Sequence, residues 1–298
     1  MQPEATGNSA VWADPLVREA ARAHWPGPML ASLEDVPPEC EALFVCGGGT
    51  MMDEAKYFRA RQRPLMRLVV APSIWGSGAE RSPIVVLTRD GRKRIEMDRA
   101  FLPDEVVYWP ELLRTIPDDL ARNASGDVWS HALEAFLSPL ACEILQGELA
   151  RLIAEMLPFP LGVDERWFLA GARACQLQAK ASVGVVHGIA HVLEPLLRVE
   201  DPAGGWGHAK LCSIFLLPAM DLNRRSSHKW ADLASRYGID DAAVQRVLRE
   251  LHQPAAYRRA LPALRGNWMA ILRDPCTRTN GTLVRPQHLA FFEDWVAS

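Results

Sequence analysis

An α/β N-terminal domain followed by an all-α C-terminal domain is the fold class that the sequence predicts, on two observations. Up to about residue 115, short apolar runs alternate with turn signals; beyond it, long stretches place apolar residues at helical spacing. With 298 residues, 49% of them hydrophobic, the chain can fill a core in each of two domains. The domains are drawn as 1–115 and 116–298.

In order along the chain, residues 43–45, running into Cys46-Gly-Gly-Gly49, read as a strand ending in a glycine turn, and 51–61 as a helix. Further strands are expected at 68–70, 84–87 and 106–108. Arg89-Asp-Gly91 is a hairpin signal joining 84–88 to 93–97. After Pro117 the segments 118–137, 140–156, 165–193 and 240–251 show helical periodicity with prolines at their edges. Gly204-Gly-Trp-Gly207 is a flexible stretch just before a histidine, and no internal repeat or low-complexity tract is visible.

Composition excludes several function classes. Lys+Arg at 33 against Asp+Glu at 36 gives a net charge of -3 with no long run of either sign, so neither nucleic acid nor an acidic membrane surface is an expected partner. No window approaches the roughly 18 apolar residues of a membrane span. The N-terminal stretch through Ala20 lacks the basic-then-apolar order of a secretory signal. Cys40, Cys46, Cys142, Cys175, Cys212 and Cys276 are scattered without a CxxC pair, which argues for reduced thiols and a cytoplasmic location.

The chemistry-bearing residues cluster in the second half. Asp127 and His131 are four apart, as are His187 and His191, so on helices each pair projects from one face. His208 follows the glycine stretch and precedes an apolar run. A helical Asp/His pair is by itself a common surface or capping feature; two such pairs plus His208 offer one carboxylate and several imidazoles to a divalent iron(II) or zinc(II). Gly47-Gly-Gly49-Thr50, between strand and helix, would present backbone N–H groups to an anion such as a pyrophosphate, or equally let strand and helix pack closely. Trp75-Gly-Ser77-Gly78-Ala-Glu80 is a second such loop.

In order and spacing these pieces resemble the iron-containing alcohol dehydrogenase family from about Glu41 to Asn223. Gly47-Gly-Gly-Thr-Met-Met-Asp53-Glu-Ala-Lys56 is similar to its GGGSxxDxAK segment, and Ala71-Pro-Ser-Ile-Trp-Gly-Ser-Gly-Ala-Glu80 to its PTTxGTGSE loop. Phe101-Leu-Pro-Asp104 through Pro110-Glu-Leu112 resembles the LPD…DPEL strand. Residues 126–136 resemble GxDALTHAIEAY, and His187-Gly-Ile-Ala-His191 the HGxAH signature. Three departures stand out. The segment from His208 to Pro218 needs a one-residue shift against HGxxNAILLP. Ala79 replaces a serine beside Trp75. Less chain precedes the glycine run than in family members.

The resemblance implies a truncated, Rossmann-like (dehydroquinate-synthase-like) nucleotide-binding domain, then a helical domain with the metal in the cleft between them. By it, Asp127, His131, His187 and His208 are the metal ligands. His191 is a catalytic-site histidine without a metal bond. Gly47, Gly48, Gly49, Thr50, Asp53, Ser73, Ser77 and Lys93 fall on dinucleotide-contacting positions. The implied activity is metal-dependent hydride exchange between NAD or NADP and a small alcohol or aldehyde, with Asp127 the anionic ligand, in a homodimer. Arg81, Arg92, Arg94, Arg224 and Arg225, near the loops expected at the cleft, would suit an anionic substrate. A non-redox lyase or hydrolase with impaired nucleotide binding, and a catalytically silent partner subunit, are the alternative readings.

Overall fold

The computed structural model describes residues 8–25 and 27–295. The parts of both sequence-drawn domains at 1–7, 26 and 296–298, and the start of the segment read for a secretory signal, lie outside the described residues. The strands are β1 (Ser9–Ala13), β2 (Met29–Leu30), β3 (Ala42–Gly47), β4 (Arg67–Pro72), β5 (Ile84–Arg89), β6 (Arg92–Met97) and β7 (Glu105–Val106). The helices are α1 (Arg18–His24), α2 (Gly49–Gln62), α3 (Asp118–Leu137), α4 (Glu143–Met156), α5 (Arg166–Ala181), α6 (Val185–Glu200), α7 (His208–Ser226), α8 (His228–Ser235), α9 (Asp241–Leu251), α10 (Pro254–Arg273) and α11 (His288–Glu293).

Five strands form one parallel sheet in the order β2-β1-β3-β4-β7. β3 is buried at every position, as a central parallel strand covered on both faces must be. Its alternate side chains divide between two layers. Leu43 and Val45, with Leu68 and Val70 of β4, meet Met52 and Ala55 of α2; Phe44 and Cys46, with Val69 and Ala71, meet Ala21 of α1, Trp25 and Trp109. β3 therefore ends at the start of α2, where the glycine run lies. β5 and β6 form a separate antiparallel hairpin with Thr88 opposite Lys93, as the turn signal predicts.

From α3 onward the chain is mostly helical, in agreement with the predicted architecture. α3 is the central helix, buried on every side from Asn123 to Leu137. A helix so enclosed should be apolar all round. Instead it carries Ser125, Asp127, Ser130, His131 and Glu134 into the core, where each needs a partner to offset desolvation. Among the described residues, no helix is long and apolar enough to cross a membrane.

Before the glycine run, where no individual element was assigned, β1, α1 and β2 complete one edge of the sheet; β2 is only two residues long and leaves no periodic signal. Three expectations need correction. The helix expected over 140–156 begins at Glu143, because the Leu140 N–H bonds the Ser138 hydroxyl in a turn. The strand expected at 106–108 pairs only over Glu105–Val106. The single helix expected over 165–193 is two. Ser182 turns the chain at φ 64°, and α6 restarts at Val185 with its first amides bound elsewhere.

Candidate metal centre and cleft

The break between α5 and α6 is held from outside by Thr279 on Ser182 and Val183, by Asn280 on the Val185 N–H, and by Glu134. Its Oε1 accepts the Val186 N–H at 2.7 Å, and its Oε2 the His187 N–H at 3.4 Å, placing a carboxylate at the positive end of α6. Oε2 also accepts from the His187 imidazole Nδ1 at 2.7 Å. With Nδ1 carrying the hydrogen, the Nε2 lone pair of His187 faces Asp127 and His131. This carboxylate–imidazole arrangement is the one that orients metal-bound histidines.

α7 supplies the remaining side. Gly126 lets it approach, since a Cβ there would lie 2.6 Å from the Ser213 Oγ. That close crossing brings His208, at the start of α7, and Cys212, one turn later, to Asp127. Asp127 Oδ1 is 3.7 Å from His131 Nδ1, 3.7 Å from His187 Nε2 and 3.8 Å from His208 Nε2, and the Nε2 atoms of His131 and His187 are 3.0 Å apart.

Asp127 Oδ1, His187 Nε2 and His208 Nε2 fit one divalent ion, whereas His131 faces Asp127 with Nδ1 and His187 with Nε2 and so borders that group. Bonds of about 2.0–2.3 Å around one metal space its ligand atoms roughly 3–4 Å apart. Asp127 is 2% exposed, yet its Oδ1 has no hydrogen-bond partner, nor has His131 Nδ1. A buried carboxylate oxygen without a donor is costly unless a cation completes it. Burial holds the His187 imidazole down to about 3 and, against the pull of Asp127, that of His131 to about 4. Burial likewise depresses His208, with His187 adding to it. All three are neutral lone-pair donors at physiological pH. Burial raises Asp127, the facing His131 opposing it, and pushes Glu134 up to about 7 against the amides it accepts.

A second cluster abuts the first. His191 Nδ1 is 3.3 Å from Asp274 Oδ2, while Asp274 Oδ1 accepts the Cys276 N–H at 2.8 Å. Gly188 makes this possible, because a Cβ there would collide with Thr277 of the same segment. The His191 and His208 rings stack with centroids 5.5 Å apart. Glu194, one turn beyond His191, pairs with Lys93 Nζ at 3.0 Å and Arg198 at 2.7 Å.

A cleft of about 790 Å³ joins the metal centre to the sheet. Gly49, Thr50, Asp53, Ser77 and Lys93 line it, together with Asp127, His131, His187, His191 and His208. Gly47, Gly48 and Ser73 do not line it, although Gly47 O holds the Ser73 N–H at 3.0 Å beneath the turn. Asp53 is engaged by the protein: Oδ1 accepts from Lys56 Nζ at 3.0 Å and Oδ2 from the Val86 N–H at 2.9 Å. The five arginines expected near an anionic substrate do not line the cleft; Arg94 pairs with Asp90, Arg224 with Asp241, and Arg225 lies over Phe291.

Sequence reasoning missed Glu134, Glu194, Cys212, Asp274 and Cys276. Helical spacing could have found three of them: Glu134 is three past His131, Glu194 three past His191, and Cys212 four past His208. Asp274 and Cys276 come from another segment and carry no such signal.

No protein-family model matches the chain. The 1-propanol dehydrogenase PduQ of Salmonella typhimurium is 26% identical over 260 residues, covering 79% of this chain and 67% of that protein. An iron-containing alcohol dehydrogenase from Thermococcus thioreducens superposes with a TM-score of 0.75 at 19% identity, over 96% of this chain and 91% of the other. A sulfoacetaldehyde reductase from Bifidobacterium kashiwanohense, solved with NAD+, gives 0.72 at 16% identity, over 96% and 90%. The fold of the chain is that of these enzymes.

Proposed function

From a chain that is a relative of the iron-containing alcohol dehydrogenases, we propose an oxidoreductase that exchanges a hydride between NAD or NADP and a small alcohol or aldehyde. The observation that carries it is the single cleft on which the glycine turn at Gly49-Thr50 and the Asp127, His131, His187 and His208 cluster both open. Those four residues would hold one iron(II) or zinc(II), which supplies Lewis acidity toward the substrate oxygen. The chain supplies the rest. His191, held through Nδ1 by Asp274, keeps its other nitrogen free to hold or pass a proton at that oxygen. The glycine turn and Ser77 would receive the dinucleotide phosphates, with Gly47, Gly48 and Ser73 shaping the turn from beneath. Ile74, Trp75, Ile95 and Met97 make an apolar wall, and both Lys93 and Arg198 are already paired with Glu194. A small alcohol or aldehyde suits that surface, with Lys180 and Lys210 also on the cleft lining.

The domain reading follows: 1–115 for the nucleotide and 116–298 for metal and catalysis. Six free cysteines, five of them buried, support a reducing, cytoplasmic setting. A homodimer is the assembly the family resemblance implies. The test is calorimetric titration of NADH and of NADPH into protein of measured metal content, beside a double alanine change at Asp127 and His131. Micromolar binding of one nucleotide, with about one metal per chain lost in the double variant, supports the reading. Stoichiometric metal with no nucleotide binding up to millimolar overturns it.

A further inference from the structure

Cys212 is fully buried, and a buried cysteine is usually a small apolar filler. Its surroundings are not those of a filler. Its sulfur faces a carboxylate oxygen and two imidazole nitrogens: Asp127, His187, His208 and Cys212 each offer one ligand atom, all within 4.8 Å of one another. Sγ is 3.5 Å from His208 Nε2. Metal–sulfur and metal–nitrogen bonds of about 2.3 and 2.1 Å at a tetrahedral ion place S and N roughly 3.6 Å apart. One of the atoms it faces, Asp127 Oδ1, is the buried oxygen without a partner. Cys212 arrives there because α7 crosses α3 at Gly126 and Ser213, one residue away.

We propose that Cys212 is a further ligand of the metal centre, adding a thiolate to the carboxylate and imidazoles of Asp127, His131, His187 and His208. The inference rests on the metal-centre reading above and adds a sulfur donor to it. His131, whose Nε2 lies 3.0 Å from His187 Nε2, sits at the border of the group that Cys212 joins. On binding, the Sγ–H bond breaks, a metal–sulfur bond forms, and the proton leaves to solvent. A thiolate among nitrogen and oxygen donors shifts preference from iron(II) toward softer ions such as zinc(II).

The test is cobalt(II) substitution of the chelator-stripped full chain, followed by absorption spectroscopy and metal analysis. The wild type should take up about one cobalt per chain and show a near-ultraviolet thiolate-to-cobalt charge-transfer band. Cys212→Ser should lose the band and bind cobalt at least about tenfold more weakly, the lower end of what losing an outer-sphere partner costs. Cys276→Ser should keep both. Bound cobalt without the band in the wild type overturns the proposal while leaving the metal reading intact, and needs no variant to fold. A band that survives Cys212→Ser or disappears in Cys276→Ser also overturns it. A wild type that binds no cobalt overturns the metal reading and this proposal together.

Discussion

Glu134 Oε2 and His187 Nδ1 lie 2.7 Å apart in a part of the core closed to solvent, and the same carboxylate holds the Val186 and His187 amides at the start of α6. Glu134 therefore has two tasks: it starts a helix and it aims an imidazole.

The two tasks separate by substitution. Glu134→Gln keeps an oxygen for the helix amides but weakens the acceptor for His187, so metal affinity should fall by roughly 10–100-fold with a small change in Tm. Glu134→Ala should lower metal affinity as much and cost a further ~1–3 kcal/mol for each amide left unpaired. Metal titration and thermal melts of both check this; unchanged affinity in both variants would remove Glu134 from the metal centre.

Asp127 makes a sharper case. Asp127→Asn should reduce bound metal to well below one per chain. The same change should raise the stability of the stripped protein by roughly 1–3 kcal/mol, because it removes the charge of a buried carboxylate whose Oδ1 has no donor. Chemical denaturation of stripped wild type and variant gives the sign. A stripped variant less stable than stripped wild type would mean that Asp127 is satisfied without a metal.

Gly126→Ala should push α7 away from α3, since the new methyl would sit 2.6 Å from Ser213 Oγ and 2.7 Å from its Cβ. The expected cost is about 1–3 kcal/mol, the usual range for overpacking, with weaker metal binding because α7 carries His208. Ser213→Gly in the same chain should restore most of both. A double-mutant cycle that shows simple additivity would mean that the crossing does not set the site.

The metal-free protein should be sensitive to acid. Burial holds His187 and His131 down to about 3 and about 4 in the folded chain, against an ordinary imidazole value of 6.5, so below 6.5 the unfolded chain takes up their protons first. Their contribution to stability is whole above 6.5 and is lost as pH falls toward 3. Glu134 and Glu80 oppose this between 4.5 and about 7, because the folded chain binds their protons more readily. Below 4.5 the opposition is complete, and Tm should fall most steeply from there to pH 3. A Tm that is flat or rises over that interval would contradict the assignment of neutral, buried imidazoles.

Most of this organisation was legible in the sequence where one element carried the signal. The β3–glycine–α2 turn and the Asp127–His131 and His187–His191 spacings could be read from local periodicity, and the hairpin from Arg89-Asp-Gly91. What could not be read depended on contacts between distant segments. Gly184 is the one local sign of the break after Ser182; the rest of it is held by Glu134, Thr279 and Asn280, all far away in sequence. Asp274 reaches His191 only through the close passage at Gly188. Asp53 matches a nucleotide-contacting position, yet both its oxygens serve Lys56 and Val86, a use that only the hairpin's placement over α2 reveals.

The four proposed histidine and aspartate ligands are unequally anchored. Asp127 and His131 sit mid-helix in α3, enclosed on all sides, where backbone opening requires unfolding of the whole core. His208 is the first residue of α7, behind the glycine stretch, with 26% of its side chain open to solvent. Helix ends fray long before helix centres let go. Exchange of the ion with solution should therefore be a gated event paced by the α7 terminus, with His208 the first bond to open and the last to close, while the α3 pair stays poised to recapture whatever arrives.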